Sequence, residues 1–149
     1  MLLKILSDKL IVKKIITFSD NGLHLVSGIS IGDRLHEING NVLLEECRKC
    51  NTKYLRDFRV VDIQNKRNFD HKTSRKCDNQ ECGAPNLYDF TFNYKDQVSS
   101  SVLQVAQDAI AMADLVLLLG VDSKEMEASK LWPTFSNSID LVVISNFKT

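Results

Sequence analysis

Four cysteines are the residues of this chain whose type and spacing most directly suggest chemistry. Cys47 and Cys50 have two residues between them, Cys77 and Cys82 have four, and 26 residues separate the pairs. Two such turns can set four thiolates tetrahedrally around one zinc ion, a borderline-soft cation with no geometric preference of its own. With all four positions filled by protein, no position is left for a reactive water, so the zinc would be structural. The alternatives are four unligated thiols or a redox pair at Cys47 and Cys50. His36 and His71 are nearby in sequence and could compete as ligands; both are expected at the surface.

The chain has 149 residues, 44% of them hydrophobic and 26% charged, with a formal net charge of zero. That is the composition of one globular domain, or of one with a small insertion. Charge balance gives no global attraction to nucleic acid or to a membrane surface. The apolar run Leu115–Leu119 is too short to span a bilayer. No small-residue cleavage site follows an apolar N-terminal core, so no secretory signal is expected. Without a sign of export, metal or free thiols are expected before disulfides.

Several elements can be read in order. Met1 to Lys9 reads as the tail of a helix, residues 10–17 (LIVKKIIT) as a β-branched strand, and residues 18–28 as a loop with an Asn-Gly turn signal. Residues 33–38 are expected as a short helix, 42–46 as a strand leading into the first cysteine pair, and 54–63 as its hairpin partner. Residues 64–76 are polar and basic and read as an exposed loop, and 87–94 as a strand. Ser99, Ser100 and Ser101 offer N-caps to a helix in which Val102, Val105, Ala106, Ala109, Ile110 and Ala113 share a face. Residues 115–119 and 141–145 read as buried strands, with a short helix at 124–131 between them. Helix, apolar strand, helix, apolar strand implies an α/β fold with a Rossmann-like parallel sheet. The expected organisation is a sheet domain over 1–41 and 87–149, with a zinc-binding insertion over 42–86.

The order of motifs resembles the sirtuins, the NAD-dependent protein-lysine deacylase family. Phe18 to His24 (FSDNGLH) is similar to that family's Gln-Asn-x-Asp-Gly-Leu-His motif, and Leu35 to Asn41 (LHEINGN) to its catalytic Glu-Leu-His-Gly-Asn segment. Cys47, Cys50, Cys77 and Cys82 match the family's zinc ligands in order. Ala113 to Ser123 resembles the strand and loop that contact NAD, and Val143 to Asn146 the late strand whose Asn contacts the adenosine ribose. Leu87-Tyr88-Asp89 and Leu131-Trp132 look most like the nuclear branch of the sixth and seventh mammalian sirtuins. The resemblance implies Zn2+ and NAD as cofactors and acylated-lysine proteins such as histones as partners, with a location in the nucleus, or otherwise the cytoplasm. It implies Ser19, Asn21, His24, Gly120, Ser123 and Asn146 as cofactor-site positions.

The departures from the family pattern fall on the chemistry. Asn39 stands at the position of the family's general-base His, and an amide has no basic nitrogen near neutral pH. Phe18 and Ser19 replace the Gln-Asn pair, and Asn21 replaces the Asp that holds the nicotinamide amide. Tyr94, Lys95 and Asp96 replace a Phe-Gly-Glu end to the substrate-pairing strand. The Gly-Ala-Gly phosphate loop and its strand are absent from the 149 residues, and with them a backbone N–H cradle for pyrophosphate. The chain thus reads as a sirtuin truncated at both ends and diverged at its active site. Three functions follow: an impaired deacylase, a pseudoenzyme keeping partial NAD or peptide binding, or a non-catalytic zinc-stabilised interaction domain. On the last reading Gly120 merely ends a strand, Ser123 caps a helix, Asn146 sits in a turn and His24 bonds locally. A half-sheet would also expose apolar edges at Leu115–Leu119 and Leu141–Ile144.

Overall fold

The computed structural model describes residues 2–30, 32, 34–61, 70–92, 98, 100–121, 124, 130–131 and 139–144. The chain divides into two compact units. One comprises Met1–Phe18, Ile29–Ile38 and Val98–Thr149, and the other Ser19–Gly28 and Asn39–Gln97.

The first unit contains α1 (Leu2–Asp8), β1 (Ile15–Thr17), β2 (Leu35–Glu37), α3 (Ser100–Ala111), β6 (Leu115–Leu119) and β7 (Asp140–Ile144). The second contains α2 (Leu23–Val26), β3 (Gly40–Glu46), β4 (Lys53–Leu55) and β5 (Tyr88–Thr91). None of the described helices is long and apolar enough to cross a membrane.

In the first unit β1 pairs with β2, and β6 with β7, both in parallel. Parallel pairing agrees with the expected Rossmann-like architecture. The strand expected over 10–17 is shortened to Ile15–Thr17 because its first residues close α1 instead. Leu10 turns into the left-handed region (φ 58), and the amides of Ile11 and Val12 donate back to Leu6 O. Residues 35–37, expected within a helix, form β2 in register with Ile15–Thr17. Leu35 and Ile38 are buried in this arrangement, and Ile38 N–H donates to Thr17 O at 2.9 Å, so cross-strand pairing decides a stretch whose short apolar pattern fits either state.

The core of this unit is Ile38, Ala106, Ile110 and Leu131, with Ile16, Val102, Val116 and Leu118 packed against it. Helix α3 forms where its serine-rich start and apolar face were expected. The strand at 115–119 is not buried throughout, as a doubly covered strand would be. Val116 and Leu118 face the core, while Leu115, Leu117 and Leu119 remain 52%, 48% and 48% exposed. Leu141 and Val142 of β7 are exposed as well. The expected short helix at 124–131 falls largely outside the described residues.

In the second unit β3 is the centre of an antiparallel sheet of order β4-β3-β5. Glu45 lies opposite Tyr54 on one side and Asp89 on the other, and a bulge falls between Asn41 and Glu45. The hairpin partner expected over 54–63 pairs only through Lys53–Leu55, after which Arg56 N–H and Val60 N–H reach back to Leu43 O and Val42 O. Gly40 opens β3 at φ 76, and a Cβ there would lie 1.8 Å from Phe90 O, so only glycine permits this approach.

Candidate metal centre and the residues around it

The first cysteine pair sits where β3 ends. Cys47 N–H donates to Thr52 O, and Asn51 N–H donates to Cys47 O at 2.7 Å, with Asn51 at φ 57. This closes a turn that points Cys47 and Cys50 the same way. The second pair is shaped by Asn79, whose backbone O accepts from Cys82 and Gly83 N–H and whose Oδ1 accepts from Glu81 N–H. Cys77 N–H donates to Ala84 O at 2.9 Å, which ties the two sides of the turn together.

The four sulfurs all lie within 4.8 Å of one another, and the Cys47–Cys82 and Cys50–Cys77 separations are both 3.6 Å. A disulfide needs about 2.05 Å, so these are free thiols. A tetrahedron with zinc–sulfur bonds of about 2.3 Å has edges of about 3.8 Å. The cage therefore fits a zinc ion, with Cys47, Cys50, Cys77 and Cys82 all free to ligate it. Neither His36 nor His71 is a member of the cluster. Both are half-buried rather than at the surface: His36 lies in β2 of the other unit, and His71 has its Nδ1 3.0 Å from Asp89 Oδ1.

The thiols differ electrostatically. Hydrogen bonding to the side chain and backbone of Thr52 lowers Cys50 to about 6, while burial pushes Cys82 up to about 12. Coordination to a cation deprotonates a thiol outright, so a bound zinc would override this difference. Tyr54 OH lies 3.1 Å from Cys77 Sγ, and that hydrogen bond raises the phenol. Lys49 Nζ donates to Cys82 O at 2.7 Å, closing the cage from outside.

A group the sequence did not single out supports the cage from behind. Glu45 is fully buried, and its carboxylate accepts from Arg56 Nε at 2.7 Å, Arg75 Nε at 2.7 Å and Thr73 Oγ1 at 2.8 Å. Burial by itself raises its pKa, but the bonds from Arg75, Thr73 and Arg56 outweigh burial and hold the carboxyl below its ordinary value. Arg56 reaches on to Asp78, next to Cys77, at 2.8 Å. Glu45 is buried and Glu46 half-exposed, but burial along β3 does not alternate, and the partners of Glu45 lie 11, 28 and 30 residues away, beyond any local signal.

The residues matched to the sirtuin cofactor site are placed in both units. Ser19, Asn21, His24 and Asn39 belong to the second, where Val42 N–H donates to Asp20 O and the turn at Gly22 (φ 71) packs on β3. A Cβ on Gly22 would lie 2.6 Å from Leu43 Cδ1 and 2.9 Å from Asn41 Oδ1, so the packing of the Asn-Gly-Leu-His turn on β3, which begins one residue beyond Asn39, depends on this glycine. The backbone O of His24 accepts from Ser27 Oγ at 2.7 Å. Gly120 belongs to the first unit and ends β6 at φ 65. Ser123, Asn146 and the stretch from Tyr94 to Asp96 lie outside the described residues.

Parallel ladders beside an apolar helix, with a four-cysteine antiparallel module, define a Rossmann-like α/β protein bearing a metal-binding module. The chain is 37% identical over 121 residues to the NAD-dependent protein deacetylase SRT1 of Arabidopsis thaliana, a match covering 81% of this chain and 24% of that protein. It is 29% identical over 112 residues to the NAD-dependent protein deacetylase Sirt6 of Drosophila melanogaster, covering 73% of this chain and 34% of that one. Among solved structures, Sir2Tm bound to a propionylated peptide superposes with a TM-score of 0.66 at 22% identity, covering 99% of this chain and 58% of that chain. A Sir2 homologue in complex with NAD gives 0.67 at 19% identity, covering 97% and 51%. No protein-family profile matches the chain. The chain belongs to the sirtuin family. It spans about a quarter of the length of the plant deacetylase and somewhat over half of the Sir2Tm structure.

Proposed function

We propose that this chain carries the zinc module and part of the NAD-binding fold of an NAD-dependent protein-lysine deacylase, and that its own deacylase turnover is lost or severely impaired. The observation that carries the family function is the 37% identity to an NAD-dependent protein deacetylase over most of the chain. A cage of four sulfurs at tetrahedral-edge separations supports a structural zinc held by Cys47, Cys50, Cys77 and Cys82. Zinc would there join the end of β3 to the loop before β5 and leave no position for a reacting water.

NAD, when bound, supplies the acceptor for the acyl group, and the residues matched to its site are Ser19, Asn21, His24, Gly120, Ser123 and Asn146. The impairment is read at Asn39. Its side-chain amide can donate and accept hydrogen bonds but cannot take up a proton near neutral pH. Absence of a general base costs roughly 10²–10⁴-fold in rate. Substrates would be acylated lysines of proteins such as histones, and the location the nucleus.

The deciding experiment is calorimetric titration of the zinc-loaded chain with NAD, followed by assay of nicotinamide release with an acyl-lysine peptide. Saturable binding near one equivalent without turnover is the expected result. No binding at millimolar NAD would overturn the cofactor reading, and turnover at ordinary sirtuin rates would overturn the impairment. A second reading, a zinc-stabilised interaction domain, is favoured by the exposed leucines of β6. It would stand if zinc binds stoichiometrically and NAD does not.

A further inference from the structure

Two Asn-Gly pairs occur in the chain, Asn21-Gly22 and Asn39-Gly40. Both are sequences in which an asparagine can attack itself through the next peptide nitrogen, because glycine brings no side chain to shield that nitrogen. Both glycines are buried, but the fold holds the two pairs differently: Gly22 faces the side-chain ends of Leu43 and Asn41, and Gly40 the backbone of Phe90. We propose that Asn21 is a site of spontaneous deamidation in the folded chain and that Asn39 is protected from the same reaction.

Asn21 lies exposed in the loop before α2. Leu23 N–H donates to Asn21 Oδ1 at 3.0 Å. That bond folds the side-chain amide back over the peptide that follows it, and draws electron density from Cγ. Among the described residues Gly22 N–H makes no backbone hydrogen bond. The Gly22 nitrogen attacks Cγ of Asn21, forming a C–N bond. The Cγ–Nδ2 bond then breaks, and ammonia leaves with the proton lost from the Gly22 nitrogen. Water adds to either carbonyl of the resulting five-membered imide. Opening on the main-chain side gives isoaspartate, and opening on the side-chain side gives an ordinary aspartate at position 21. Either product adds one negative charge to a chain whose formal net charge is zero.

Asn39 has the same neighbour but not the same freedom. Its backbone O accepts from Phe92 N–H at 3.2 Å, and Gly40 pairs with Thr91 in the β3–β5 ladder. Phe90 O would lie only 1.8 Å from a Cβ on Gly40, so the peptide between Asn39 and Gly40 has no room to swing into a ring without opening the ladder. Deamidation at Asn21 alone would restore a carboxylate where the sirtuin motif has Asp, a consequence that rests on the family reading, although the reaction itself does not.

The test is incubation of the full zinc-loaded chain in ¹⁸O-labelled water at mildly alkaline pH, with peptide mapping by fragmentation that separates aspartate from isoaspartate. A parallel sample is held in urea. In the folded chain, label should enter at position 21 at least about tenfold faster than at position 39, the factor imposed by opening one or two backbone hydrogen bonds. In urea the two rates should converge. Asn21→Gln, which would have to close a less favourable six-membered ring, should abolish label at 21 and leave position 39 unchanged. A folded-state ratio below about tenfold, or loss of the labelling at 21 on folding, overturns the proposal. Since the label is read without NAD or substrate, failure of the deacylase reading leaves this result untouched.

Discussion

The two units of this chain solve the problem of a small interior in opposite ways. The cysteine unit buries a charge, Glu45, and surrounds it with two arginines and a threonine beside a cage of four thiols. The other unit buries no charged side chain among the described residues, and relies on the apolar face of α3 against Val116 and Leu118. Short strands with few apolar contacts need a staple, and metal and ion pairs provide one. A helix laid on a parallel ladder needs none on the face it covers, but it leaves the other face bare, here Leu115, Leu117 and Leu119. The difference teaches that stability in the first case is conditional on metal and pH, and in the second on surface coverage.

The largest effect should come from removing the metal. A structural zinc site contributes apparent binding free energies of about 10–16 kcal/mol in zinc-finger peptides near neutral pH. Chelation, or Cys47→Ser, should therefore abolish hydrogen-exchange protection across β3, β4 and β5 while α3 amides keep theirs. Equal loss of protection in α3 would break the contrast between the units.

Next in size is Glu45→Ala, which takes the shared carboxylate from Arg56, Thr73 and Arg75 and should cost about 3 kcal/mol in denaturant unfolding of the cysteine unit, the low end for a broken buried pair because Arg56 keeps Asp78 and both guanidiniums are partly exposed. Its pH dependence has a definite sign. The folded carboxyl is held below its unfolded value, so its contribution is full above an unfolded pKa of about 4.3 and is lost as pH falls through the lower folded value. The stability gap between the native chain and Glu45→Gln should narrow on acidification below about pH 4. A gap independent of pH would mean that shape rather than charge matters at this position.

A smaller and sharper comparison lies within β6. Leu118→Ala, on the covered face, should cost about 2 kcal/mol, the low end for a buried leucine. Leu117→Glu, one residue away on the bare face, should stay within about 0.5 kcal/mol and improve solubility. If Leu117→Glu is as costly as Leu118→Ala, something covers that face in solution.

Much of this was legible in the sequence because it rests on short-range patterns. Cysteine spacing announced the cage, helical periodicity announced α3, and the apolar runs announced β6 and β7. Motif order pointed to the sirtuin family, which the relatives bear out. Where short apolar stretches had no partner in view, the reading failed. Residues 35–37 became a strand because Ile15–Thr17 were there to pair with them, and residues 10–14 were lost to the closure of α1. Which face of β6 is covered was equally invisible, since Leu115 to Leu119 are uniformly apolar.

By itself, then, the amino-acid order determined which residue types are available: four thiols at knuckle spacing, an amide instead of an imidazole at position 39, two Asn-Gly pairs. Tertiary structure decided what each can do. It brought four sulfurs within 4.8 Å of one another and gathered Arg56, Thr73 and Arg75 on Glu45. It set Asn21 in a loop and Asn39 beside a ladder, with Gly40 against Phe90 O. The physical reason is the same throughout. Chemistry depends on distances and desolvation between groups far apart in the chain, and only the pairing of strands around β3 sets those distances.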